Sequence, residues 1–148
     1  MGSTGPTDQP AFRIEQAGQD EPWFSQLWHE LHGPVCAAER PATCLVARDS
    51  ATSRILGLAQ YVRTFPPEDG CSAVATVPGV DNSVGAALFH ELARRALHDG
   101  MRDLGTVVSD HDRLALDFLR KANLPIRCTP ISGGTYVEID LLTATDQR

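Results

Sequence analysis

The feature that most limits the fold is a change of hydrophobic period past the middle of the chain. Val84, Leu88, Leu92 and Ala96 recur every fourth residue, which is the repeat of one helical face. Glu91 and Arg95 stand four apart on the other face, and Gly100 follows as a stop. The segments on either side have no such repeat. They alternate, or run β-branched and apolar, as strands do.

Before the helix, Phe12 to Gln16 alternates like a half-buried strand. Pro22 opens an aromatic-rich helix over residues 22 to 32, carrying Trp23, Phe24, Leu27, Trp28 and Leu31, and Gly33-Pro34 ends it. After a loop through residue 42, Thr43 to Arg48 and Ile55 to Thr64 form a hairpin turned at Asp49 to Ser53. Pro66-Pro67-Glu68-Asp69-Gly70 reads as a second turn, leading into a strand from Cys71 to Val77. Beyond the long helix, Leu104 to Ser109 is a strand, and Leu114, Ala115, Phe118, Leu119 and Ala122 mark a second amphipathic helix. Residues 126 to 130 and 135 to 142 close the chain as a hairpin around Ser132-Gly133-Gly134. The order is β-α-βββ-α-β-α-ββ, an α+β arrangement.

Composition narrows the function classes. The 148 residues suit one domain, expected over residues 11 to 142 with flexible ends at 1 to 10 and 143 to 148. A hydrophobic share of 42% excludes disorder, and 13 basic against 19 acidic residues, a net charge of −6, excludes the concentrated positive field that nucleic acid or an anionic membrane requires. No stretch reaches the roughly 20 apolar residues of a membrane span, and the start has no signal-peptide pattern, so the expected location is cytoplasmic. Cys36, Cys44, Cys71 and Cys128 lack metal-site or paired spacing, so reduced thiols and no metal are expected.

Val80-Asp81-Asn82-Ser83-Val84-Gly85, followed by Ala86-Ala87-Leu88-Phe89, leads into the long helix. Asp112-Arg113-Leu114-Ala115-Leu116-Asp117-Phe118-Leu119-Arg120-Lys121-Ala122-Asn123-Leu124 forms the later one. With the element order, these blocks resemble the GNAT superfamily of acyl-CoA-dependent N-acyltransferases across residues 12 to 142. The strand Leu56-Gly57-Leu58-Ala59-Gln60-Tyr61-Val62-Arg63 is similar to those of bacterial protein lysine acetyltransferases. The resemblance implies a mixed, mainly antiparallel twisted sheet with helices on both faces. It also implies a CoA pyrophosphate cradled by backbone N–H groups at the helix start. Val80 stands at the family's Arg/Gln position, Ser83 at its first glycine and Gly85 at its second. The residues implied for the cofactor are therefore Val77, Val80, Asp81, Asn82, Ser83, Val84, Gly85, Ala86 and Asp112. Leu119 stands where the family often has a proton-donating tyrosine, and Asn123 replaces a helix-ending glycine, a conformation Asn tolerates.

The chemistry implied is acetyl transfer from acetyl-CoA, or another acyl-CoA, to an amine of a small molecule or a protein lysine. A homodimer is left open. The family's basic glutamate on the fourth strand aligns with Ser72, which has no basicity near neutral pH and is left to orient water or substrate. His111 follows the fifth strand at the mouth of the expected strand splay, and Asp110 and Asp112 flank it. These three read as a base with its tautomer set by a carboxylate, or as a helix cap beside an exposed histidine. Cys71 faces the pocket or the core, and Glu68, Asp69 and Glu39 are loop carboxylates. The alternative reading of the whole is a silent or repurposed GNAT-like domain that binds an acyl-CoA or another small ligand, or a protein-interaction module.

Overall fold

Five consecutive buried residues, Thr43 to Ala47, show that the sheet is covered on both faces where this strand crosses it. The computed structural model describes residues 11–17, 23, 26–27, 43–63, 69–109 and 114–142. Their strands are β1 (Phe12–Ala17), β2 (Thr43–Asp49), β3 (Ile55–Arg63), β4 (Asp69–Thr76), β5 (Asp103–Ser109), β6 (Ile126–Ile131) and β7 (Gly134–Asp140). The two long helices are α1 (Asn82–His98) and α2 (Leu114–Ala122). One seven-stranded sheet runs β1-β2-β3-β4-β5-β7-β6, antiparallel throughout except that β4 and β5 are parallel. This is the α+β arrangement expected. Among the described residues, no helix is long and apolar enough to cross a membrane.

Strand alternation sorts side chains onto two faces. Leu45, Ala59, Tyr61, Val74, Leu104, Val137 and Ile139 point to the side covered by α1 and α2, where they meet Val84, Leu88, Leu92, Phe118 and Leu119. Each such buried large side chain contributes roughly 1.5 to 3 kcal/mol. Cys44, Val46, Leu58, Ala73 and Ala75 point to the other side, where helical Trp23 and Leu27 pack on them. The expected coverage of both faces is therefore observed. Phe24, Trp28, His29, Leu31 and His32 lie outside the described residues, as do Cys36, Glu39 and Glu68.

Local chemistry fixes the turns. The Asp49 carboxylate accepts from the N–H groups of Ala51 (2.8 Å) and Thr52 (2.9 Å), and Ser53 takes φ 63° to close the β2–β3 hairpin. Helix α1 ends with Gly100 at φ 87°. The Gly100 N–H bonds the Leu97 carbonyl, and the Met101 N–H reaches back to Ala96 at 3.0 Å. Asn123 adopts φ 58° after α2, the left-handed cap expected of it. The fully buried Tyr61 donates its hydroxyl to Asp99 beside the end of α1, and burial pushes its phenol up to about 12.

The strand edges carry one consequential difference. Asp69 and Gly70 belong to β4 rather than to the preceding turn, so the strand begins two residues earlier than its composition suggests.

Candidate active site

Strands β4 and β5 pair over only three rungs: Asp69 with Asp103, Gly70 with Leu104 and Cys71 with Gly105. Beyond the last rung each strand follows its outer neighbour. Strand β4 stays with β3 through Thr76 opposite Gly57, and the Val77 N–H donates to the Leu56 carbonyl at 2.9 Å. Strand β5 stays with β7 through Ser109 opposite Gly134. A gap opens between two strands of one sheet, with backbone groups along both sides.

At the apex of this gap, on the face away from α1, lies a cavity of about 370 Å³. Asp69, Cys71, Asp103, Gly105, Tyr136 and Glu138 are among its lining residues. The Tyr136 hydroxyl lies over Gly105 so closely that any Cβ at that position would collide with it, which accounts for glycine there. The Asp69 Oδ1 is buried and has no hydrogen-bond partner among the described residues. Burial, followed by the negative fields of Glu138, Asp69 and Asp140, holds the Asp103 carboxyl above its ordinary value. Burial likewise raises the Tyr136 phenol, assisted by Glu138, Cys71, Asp69 and Asp103. Arg127 meets Glu138 at 3.1 Å from a largely exposed position, so positive charge sits at the rim while the interior is acidic.

Strand parity corrects the reading of Ser72. It pairs with Tyr61 and is buried on the α1 side, where its hydroxyl donates to the Gly105 carbonyl at 3.3 Å. Its neighbours Asp69 and Cys71 line the cavity instead. A shift of one residue along a strand exchanges the faces. Asp103, Tyr136 and Glu138 were not singled out from the sequence. The signal for the last two was the alternation of β7, in which Val137 and Ile139 turn inward and Tyr136 and Glu138 outward.

The start of α1 divides the residues expected at the cofactor. Val77, Val80, Asp81, Asn82 and Ser83 lie at the turn or in the first helical positions, half-buried or exposed. Asp81 is the N-cap, its carboxylate accepting the Ser83 N–H at 2.7 Å. Val84, Gly85 and Ala86 are buried against the core, so what they could offer a cofactor is their backbone at the helix start. Gly85 faces the ring of Phe118, and the α1–α2 contact requires its small size. Leu119 is fully buried, so that position offers no proton donor. Asp110, His111 and Asp112 lie outside the described residues. Exposed His90 and His98 belong to the surface of α1. Among the described residues no group of His, Cys, Asp or Glu is arranged to hold a metal ion.

No protein family's sequence profile matches the chain, and no curated protein matches it. Solved structures do. A GNAT superfamily phosphinothricin acetyltransferase from Sinorhizobium meliloti, in complex with acetyl-CoA, superposes with a TM-score of 0.66 at 14% identity, covering 88% of this chain and 89% of that one. A Bacillus subtilis acetyltransferase in complex with CoA gives 0.64 at 15% identity, over 87% and 98%. A spermidine N-acetyltransferase chimera of Vibrio cholerae SpeG and hSSAT gives 0.65 at 9% identity, over 93% and 99%. The sheet order, the parallel β4–β5 pair and the position of α1 are those of the GNAT fold, and this chain has that fold.

Proposed function

We propose that the chain is an acyl-CoA-dependent N-acyltransferase that moves an acetyl group from acetyl-CoA to a cationic amine. The observation that carries this reading is the β4–β5 gap opening onto an acidic cavity at its apex. Two of the similar structures hold acetyl-CoA or CoA, and the residues here suit such a donor. The open backbone edge of β4 from Ala73 to Thr76 runs toward the start of α1, where residues 77 to 83 would take the diphosphate. The acceptor would enter the cavity on the other face, where Asp69, Asp103 and Glu138 favour a positively charged amine such as a polyamine or a lysine side chain. One of the similar proteins is a spermidine acetyltransferase, which agrees with that preference.

An ammonium nitrogen has no lone pair, so the acceptor must lose a proton before it attacks. Asp69 is the carboxylate for this, because its buried oxygen has no competing donor among the described residues. The amine nitrogen then bonds to the thioester carbon, whose carbonyl π electrons move to oxygen, and a second proton passes from nitrogen to solvent water as the tetrahedral adduct forms. As the adduct collapses, the carbon–sulfur bond breaks with its electron pair on sulfur, and the Tyr136 hydroxyl supplies the proton that makes the free thiol. Solvent exchange carries the proton held by Asp69 away and restores that of Tyr136. The raised Tyr136 phenol stays protonated at neutral pH, as a donor must.

Release of free CoA thiol from acetyl-CoA, measured over a panel of spermidine, a lysine peptide and an amino sugar, tests the reading. Turnover with the di- and polycations is expected. Binding of acetyl-CoA without turnover on any amine would instead identify a silent acyl-CoA-binding domain. His111→Gln belongs in the same experiment, since the sequence offers that histidine as a candidate base. Loss of the rate inflection near pH 6.5 in that variant, with Asp69→Asn unaffected, would assign the acceptor's proton to the imidazole.

A further inference from the structure

Asp69, Asp103 and Asp140 stand directly opposite one another on three neighbouring strands, Asp69 with Asp103 across β4 and β5 and Asp103 with Asp140 across β5 and β7. Like charges in direct cross-strand register destabilise a sheet, and Arg102, next to Asp103 in the chain, offsets only part of the field there. In a parallel row two residues further along, Cys71 is opposite Gly105 and Gly105 is opposite Glu138. That row is uncharged over Cys71 and Gly105, where the Tyr136 hydroxyl lies, and acidic again at Glu138. The cavity therefore has carboxylates on both sides of a neutral stretch, and β5 separates Asp69 from Glu138 by roughly 10 Å of sheet.

The two sides differ in what they hold. The Asp69 Oδ1 is buried and has no hydrogen-bond partner among the described residues. Glu138 is already met by a cation, since Arg127 of the edge strand β6 is its direct cross-strand partner and donates to it at 3.1 Å. The Arg127 side chain is 73% exposed, and an ion pair this open contributes little to stability. Resting on the acyltransferase reading above, we infer that Glu138 selects a linear dication as acceptor, two ammonium groups joined by a methylene chain, with Arg127 as its resident stand-in. The reacting nitrogen sits at Asp69, the methylenes lie along the neutral row beside Tyr136, and the second ammonium takes the place of the Arg127 guanidinium at Glu138. A monoamine meets Asp69 alone and leaves the Glu138–Arg127 pair as it is.

The test is the ratio of kcat/KM for diaminobutane, with an amine at each end, to that for butylamine, with acetyl-CoA as donor. The parent should favour the diamine by about tenfold or more, and Glu138→Gln should lower that ratio by about tenfold. Arg127→Gln should raise it by about two- to fivefold at low salt, because the second ammonium no longer has a guanidinium to displace. Both substitutions break the same ion pair, so a bridge that served structure alone would move the ratio in the same direction in both variants or in neither. Either of those results, or a parent that turns over the two amines equally well, overturns the inference and leaves the acyltransferase reading intact. Arg127→Gln alters a largely exposed side chain and decides the matter alone if Glu138→Gln does not fold. Absence of turnover by the parent on either amine, with acetyl-CoA bound, removes the acyltransferase reading and this inference together.

Discussion

Gly85 of α1 presses its Cα against the aromatic ring of Phe118 in α2, and a Cβ at that position would lie 2.5 Å from two of the ring carbons. The glycine lets two helices approach until one backbone touches the other's side chain. Gly85→Ala is therefore expected to destabilise the protein by roughly 1 to 3 kcal/mol through overpacking. Combining it with Phe118→Leu should recover part of the loss. Thermal melts of the two variants check this, and titration of the folded fraction should find CoA affinity little changed by the single substitution.

Asp69→Asn and Ser72→Ala form the decisive pair for the chemistry. The first should lower turnover by about 10² or more without lowering the melting temperature, since the carboxylate oxygen it replaces is buried without a partner among the described residues. The second removes one buried hydrogen bond to Gly105, worth about 1 kcal/mol, and should leave turnover alone. Steady-state rates alongside melts would expose the reverse assignment immediately.

Tyr136→Phe should lower kcat by about 10² with little change in KM, because the lost proton is needed only as the thiolate leaves. The phenol lies above its ordinary value of 10.0, so the parent's rate should hold through that pH and fall only beyond it. The variant should show no such fall, and rate profiles taken to high pH distinguish a proton donor from a ring that merely shapes the cavity.

Stability should respond to pH in opposite directions at two carboxyls. Asp103 is raised in the folded chain, so its contribution is present below the unfolded value of about 3.9 and is lost as pH rises through the folded one. Asp103→Asn should therefore raise the melting temperature at pH 7 and leave it unchanged near pH 3. Glu91 is lowered by its hydrogen bond from Arg94, then by that from Arg95, so its contribution is present at neutral pH and disappears as pH falls through its folded value. Glu91→Gln should lose stability at pH 7 and little in acid.

Periodicity made the fold legible because each element states its own face: α1 through Val84, Leu88, Leu92 and Ala96, and α2 through Phe118 and Leu119. Hairpin turns were equally plain, since the Asp49 carboxylate and the glycine at 133 act within a few residues. The site was not legible to the same degree. Pro66 and Pro67 drew the turn forward to Gly70, and this took Asp69 out of β4. Gly85 was read with the phosphate loop because glycine permits close approach by any neighbour, and only the packed helices reveal that Phe118 is one such neighbour. Tyr136 and Asp103 meet Asp69 solely through the order of strands β4, β5 and β7, which no local spacing encodes.

The three rungs between β4 and β5 make the sheet, in effect, two ribbons joined at a narrow neck. A protein strand left without a neighbour ordinarily invites another chain to pair with it. Here two such borders face one another across the gap between β4 and β5. On the acyltransferase reading, an aggregation hazard becomes a loading port. Whatever fills the slot stitches the ribbons together, so cargo and sheet should stiffen in the same event.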